Sequence, residues 1–159
     1  MILKIKIEIS VPPKKLWGVI ADPVRIMSWN PKIRTVIPVT LGEPTAGSQY
    51  RIRYRLISGK GNYAGELMEF NKPAQCVLHL KGENLPARGY IQGIYQISEK
   101  RNGCLLTQTI LIDQAGILFP RSLHIRLRHL LGANSARHYL RKLKKLAESS
   151  ETDPASPFM

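Results

Sequence analysis

The sequence predicts an α+β fold: one curved antiparallel sheet of seven strands, two short helices near the start and a long C-terminal helix. Three observations carry that prediction. Apolar residues recur with period two along seven segments between Ile2 and Asp113. Short turns holding glycine, proline or asparagine separate most of these segments, the mark of an antiparallel meander. After Gly116 the period changes from two to 3.6. Helices kept apart in sequence from a run of antiparallel strands define α+β, and the sheet needs a cover that only the long helix is large enough to supply.

Each element follows in order. Ile2 to Ile9 is a strand with Leu3, Ile5, Ile7 and Ile9 on one face and Lys4, Lys6 and Glu8 on the other. Pro12 and Pro13 stop it and open a short helix, Lys14 to Ala21, because proline is tolerated in a first turn. Asp22 is the expected N-cap of a second short helix from Val24 to about Ser28. Asn30-Pro31 ends that helix, since a residue before proline is pushed out of the α region. Strands are then expected at Ile33–Val39, Ser48–Ile57, Asn62–Phe70, Gln75–Lys81, Arg88–Ser98 and Cys104–Asp113. Turns such as Gly59-Lys60-Gly61, Asn71-Lys72-Pro73 and Arg101-Asn102-Gly103 join them. Leu118 to Glu148 is expected to be mostly helical. Leu123, Leu127, Leu130 and Leu131 occupy one face, while Ala136, Tyr139, Leu140, Leu143, Leu146 and Ala147 lie near the opposite one. The change of face falls at Gly132–Ser135, where a kink or a change of neighbour is expected. One domain over residues 1–148 and a frayed, disordered tail over 149–159 complete the organisation.

The 159 residues include 24 Lys+Arg and 11 Asp+Glu, for a net charge of +13. The surplus sits in residues 1–60 and 117–159, while the middle strands are neutral. Such blocks can coalesce into a basic face that attracts anionic membrane, nucleic acid or an acidic ligand end, or they can be a solvated surface. No apolar run approaches the roughly 20 residues of a membrane-spanning helix. The first ten residues lack the apolar core of a secretory signal, so a cytoplasmic location is expected.

The order of elements, with Val11-Pro12-Pro13, Leu16-Trp17, Val19-Ile20-Ala21-Asp22, Trp29-Asn30-Pro31 and the closing Leu140–Glu148 helix, resembles the SRPBCC or START-like superfamily, also called polyketide cyclase/dehydrase-like. The similarity spans roughly residues 2–148. It implies a helix-grip fold, a curved sheet gripping the C-terminal helix around a cavity for an apolar small molecule such as a lipid, quinone or polyketide-like aromatic. It does not imply a reaction, because function resides in the site and not in the fold.

No phosphate loop, HExxH, paired-cysteine motif or nucleophile elbow is present, so no catalytic set is assigned. His79 lies in a strand; His124, His129 and His138 lie on the last helix without ligand spacing, and neither a metal nor a cofactor is called for. Cys76 and Cys104 read as small buried hydrophobes. The expected ligand-binding residues are Trp29, Ile52, Tyr54, Tyr63, Met68, Phe70, Leu78, Leu80 and Tyr95 from the helices and sheet, with Leu123, Leu127 and Leu130 from the last helix; the same residues also suit a filled core. A cyclase would need a polar group inside this lining, for which His79, Glu66, Tyr54, Tyr63 and Tyr95 are the candidates. Arg121, Arg126 and Arg128 beside Ile117-Leu118-Phe119-Pro120 read either as a basic rim suited to an anionic membrane or as solvated arginines beside a Leu118-Phe119 pair tucked into the sheet's open end. Arg51, Arg53 and Arg55 on one strand face leave association with RNA or ribosomes open as a third reading, although no nucleic-acid motif appears.

Overall fold

The computed structural model describes residues 2–55, 61–82, 85, 88–113 and 133–149. The alternating segments form seven strands: β1 (Ile2–Ile9), β2 (Ile33–Pro38), β3 (Gln49–Tyr54), β4 (Gly61–Asn71), β5 (Gln75–Gly82), β6 (Tyr90–Lys100) and β7 (Gly103–Asp113). Their spatial order is β1-β7-β6-β5-β4-β3-β2, with every neighbouring pair antiparallel. Thus β2 to β7 run as a meander, and β1 joins the far end by pairing Ile9 with Cys104 and Ile2 with Leu111. The two short helices connect the opposite edges of the sheet.

Helix α1 (Pro13–Ile20) begins with proline at its first position and buries Leu16, Trp17, Val19 and Ile20. The Asp22 carboxylate accepts the Val24 N–H at 3.0 Å, as expected of an N-cap. The helix it opens, Pro23–Ser28, is a 3-10 helix and not an α-helix. Six residues between a proline and the next turn leave little room for α-type bonding. The Asn30 side chain then accepts the Lys32 N–H at 3.0 Å and leads the chain into β2.

Helix α2 (Ala133–Glu148) starts inside the Gly132–Ser135 stretch where the apolar stripe changes face. It buries Ala136, Tyr139, Leu140, Leu143 and Ala147 and turns Arg137, Arg141, Lys142 and Lys145 to solvent. It packs on β1 and α1, and the Glu148 carboxylate accepts the Ser10 N–H at 2.9 Å, pinning its end to the end of β1. The front of the expected helix, the strand end at Ile57, Gly59 and Lys60 of the next turn and all of the expected tail beyond Ser149 lie outside the described residues.

Period two places Cys104, Leu106, Gln108, Ile110 and Ile112 of β7, and Ile91, Tyr95 and Ile97 of β6, on the buried face. Strict alternation breaks in two strands: in β2, whose pairing with β3 shifts between Ile33 and Thr35, and in β4. The pairing of β4 with β5 shifts between Leu67 and Glu69: Leu67 faces Leu78, Glu69 faces Val77, and Met68 is the extra residue of a β-bulge. Leu67 therefore points inward and Met68 outward at 49% exposure, while Phe70 returns to the inner side against Trp17.

Candidate functional site

Between the sheet, the 3-10 helix and α2 lies an interior space walled by Ile26, Ile33, Leu78, Leu80, Ile91 and Ile110. Its polar members are Asn30, Lys32, Tyr54, Tyr95, Gln108 and Tyr139. The remaining cavity is about 30 Å³, room for one water.

The polar side chains form a directed chain. The Tyr139 O–H donates to Gln108 Oε1 at 3.1 Å. Gln108 Nε2 in turn donates to the Tyr95 hydroxyl oxygen at 3.1 Å. All three residues are buried. Because the glutamine amide already supplies the donor, the Tyr95 O–H is left to donate elsewhere, and no acceptor for it stands among the described residues. Trp29 backs the chain: its ring meets Tyr95 edge-on at 6.3 Å and Tyr139 at 5.8 Å, and its indole N–H donates to the Val19 carbonyl at 3.4 Å. Aromatic contacts of this kind hold the phenol rings in place.

These phenols are hydrogen-bond groups and not bases. Burial, reinforced by Tyr139 and Tyr54, raises Tyr95 well above the ordinary phenol range. Burial also raises Tyr54, and pushes Tyr139 up to about 12 against the opposing bond to Gln108. At neutral pH all three are neutral donors.

The structure brings Tyr54, Leu78, Leu80 and Tyr95 together around the cavity. Ile52 and Tyr63 are buried beside it, with Tyr63 edge-on to Tyr54 at 5.1 Å. Trp29 is buried behind the polar chain and is not on the cavity lining. Phe70 faces α1 through Trp17. Met68 is not part of any inner lining, because the bulge turns it to the outside. Leu123, Leu127 and Leu130 lie outside the described residues, as do Arg121, Arg126, Arg128, His124 and His129. Among the described residues, Tyr139 of α2 closes the cavity from the helix side.

His79 and Glu66 are not inner groups. In β5 the inward positions are Leu78 and Leu80, so His79 faces out, stacked on Tyr90 at 4.7 Å and 3.3 Å from the Gln92 amide. Burial and the nearby Lys81 lower its pKa, with Glu66 opposing. His138 is exposed on α2. Cys76 and Cys104 are buried free thiols; burial pushes Cys76 up to about 12 and also raises Cys104, so neither is a ready thiolate. Asp113 ends β7 opposite Tyr90.

Sequence reasoning missed Gln108, Asn30 and Lys32, and gave Tyr139 only a packing role. Gln108 had a signal: it is the one strongly polar residue on the inward register of β7, and a buried polar group requires partners.

A meander closed by β1 and gripped by a C-terminal helix, around an apolar interior, defines a helix-grip α+β domain. The chain belongs to the polyketide cyclase/dehydrase and lipid transport family, whose model matches residues 2–148. Solved structures agree on the fold. A START superfamily protein from Mycobacterium smegmatis matches with a TM-score of 0.71 at 14% identity, covering 92% of this chain and 97% of that one. The Zhui aromatase/cyclase from Streptomyces sp. R1128 matches at 0.70 and 14%, with 93% of each chain covered. Ginseng major latex-like protein 151 from Panax ginseng matches at 0.69 and 10%, covering 94% and 98%. Comparison with curated proteins finds no match. Among the described residues no helix is long and apolar enough to cross a membrane.

Proposed function

We propose that the protein binds a mostly hydrophobic small molecule bearing one hydrogen-bond-accepting polar end, in the space between the sheet and α2. The observation that carries this reading is the Tyr139–Gln108–Tyr95 chain, which leaves the Tyr95 O–H free to donate on a lining that is half aliphatic and half polar. An apolar pocket with a few convergent polar groups is the usual form of a small-molecule site. Lys32, only partly buried on the same lining, suits an acceptor end that is anionic.

A cavity of about 30 Å³ admits a water and not a lipid. Binding therefore requires side chains to move aside, and Tyr54 and Lys32 are the lining residues with solvent exposure that can do so. A cyclase reading is weaker. It asks for a general base, and among the described residues the inner lining carries no carboxylate or imidazole.

The test is native mass spectrometry of gently purified protein, followed by titration of the stripped protein with a fluorescent long-chain fatty acid. Saturable uptake is expected, weakened about three- to tenfold in Tyr95→Phe through loss of one hydrogen bond. An absence of both co-purified molecule and saturable uptake would overturn the reading.

A further inference from the structure

The outer face of the same sheet carries a second feature that the interior does not explain. The register places Ile37 of β2, Arg51 of β3, Ala64 of β4 and Lys81 of β5 in one row across four strands. Arg51 and Lys81 are two strand spacings apart, roughly 10 Å. Ala64 between them is too short to fill the gap, so the two long cations wall a trough floored by a methyl group. Two adjoining grooves, of about 610 Å³ and about 450 Å³, share these three residues. Arg53 lines the first and donates to the Asn62 side chain at 3.3 Å. Glu66 is the one carboxylate on either lining. The one ion pair among the described residues is Lys144–Glu148 on α2, so Arg51, Arg53 and Lys81 are not ion-paired to any described carboxylate, and the groove keeps more positive than negative charge.

Aliphatic side chains rim the cations. Ile37, 56% exposed, lines the first groove, and Val39 at 50% and Met68 at 49% line the second; Leu41, 89% exposed, is on the loop that follows β2. Scattered exposed apolar residues need no explanation, but several gathered at a basic groove mark an interaction surface.

We propose that this outer face of β2 to β5 docks on a bilayer containing anionic lipid. The cations meet the headgroups while Leu41, Val39 and Ile37 enter the interfacial layer. Both parts are needed for peripheral binding of useful strength, apolar burial together with attraction to anionic lipid. RNA fits the face less well, because it offers no free aromatic platform for bases. Tyr50 and Tyr63 are buried, and Tyr90 is covered by His79. A second copy fits less well still, since two chains of +13 repel. This inference is independent of what the interior binds.

The test is co-sedimentation of the full chain with vesicles of phosphatidylcholine alone and of phosphatidylcholine mixed with phosphatidylglycerol. It is run at about 0.1 M salt, with a screening length of about 10 Å, and at about 1 M, with about 3 Å. Binding to the anionic vesicles at low salt is expected, with loss at high salt. One cation at such a surface is worth about fivefold in binding, so the double variant Arg51→Ala/Lys81→Ala should bind about 25-fold less. Leu41→Ser should weaken binding without changing the salt dependence. Unchanged unfolding midpoints establish that the variants fold. Equal binding to neutral vesicles, or undiminished binding by the double variant, would overturn the proposal. So would loss confined to Arg121→Ala/Arg126→Ala/Arg128→Ala, or retention on an RNA column with no vesicle binding.

Discussion

Replacing Gln108 by leucine is the most informative single change to the interior. The two side chains are similar in size, so little cavity is created. What the change removes is the amide that both accepts from Tyr139 and donates to Tyr95, each at 3.1 Å. Two phenol groups are then left buried without that partner, at a cost of about 1–3 kcal/mol each. A water in the adjoining cavity of about 30 Å³ can serve one of them. The net loss expected for Gln108→Leu is therefore about 2 kcal/mol, a sizeable share of a typical domain stability of about 5–15 kcal/mol.

The sharper test is what restores it. Tyr95→Phe and Tyr139→Phe added to Gln108→Leu turn every member of the chain apolar, and replacing all partners together is close to neutral. The triple variant should thus lie within about 1 kcal/mol of the wild type and be more stable than Gln108→Leu alone. Urea unfolding followed by tryptophan fluorescence is the assay, with Trp29 in ring contact with both tyrosines as a local reporter. A Gln108→Leu protein within about 0.5 kcal/mol of the wild type, or a triple variant no better than the single, would refute the reasoning that these bonds form one coupled unit.

Three further outcomes are expected. Met68→Lys should leave stability within about 0.5 kcal/mol, as an exposed substitution does, whereas Leu67→Ala should cost about 2–5 kcal/mol; equal effects in denaturant melts would mean that the bulge is misplaced. Gly103→Ala should cost more than about 1 kcal/mol, because Gly103 sits at φ +145° and an added Cβ would collide with the Ile9 carbonyl oxygen. The same melts measure it, and wild-type stability would contradict the β1–β7 pairing. On alkaline titration, Tyr54, Tyr95 and Tyr139 of the six tyrosines should ionise late by ultraviolet absorbance. A raised folded-state pKa favours the fold below pH 10, and that advantage is lost as pH rises. For Tyr139, at about 12 against 10, the loss reaches about 3 kcal/mol once pH exceeds 12; six tyrosines titrating together near pH 10 would exclude the buried placement.

The fold was legible because alternation and turn chemistry are local. Gly-, Pro- and Asn-bearing turns set where each strand stops, and period two sets which face is apolar. What failed did so where a local rule meets a neighbour. Counting back from Phe70 puts Met68 inside, and only the pairing of Leu67 with Leu78 and of Glu69 with Val77 reveals the extra residue. The site was less legible because its members come from β6, β7 and α2. Alternation places Tyr95 and Gln108 on the buried face, but nothing local says that Tyr139 reaches Gln108. The usable clue was thermodynamic: a glutamine between Leu106 and Ile110 on an inward register is tolerated only if its amide is bonded.

The charge follows from the same alternation. In β3, Tyr50 and Ile52 are buried and Tyr54 lines the cavity, and the intervening positions Arg51 and Arg53 are thereby forced to the outside. A strand that is apolar inward carries its charge on the opposite face, and cross-strand register decides whether that charge is dispersed or gathered. Here the register sets Arg51 level with Ala64 and Lys81. A carboxylate at position 64 would stand between both cations, so Ala64→Glu should weaken co-sedimentation with anionic vesicles about fivefold while leaving Tyr95, Gln108 and Tyr139 untouched. A domain with an interior for an apolar molecule and an exterior for an anionic surface would use one set of strands for both, which is why separating the two by substitution is feasible.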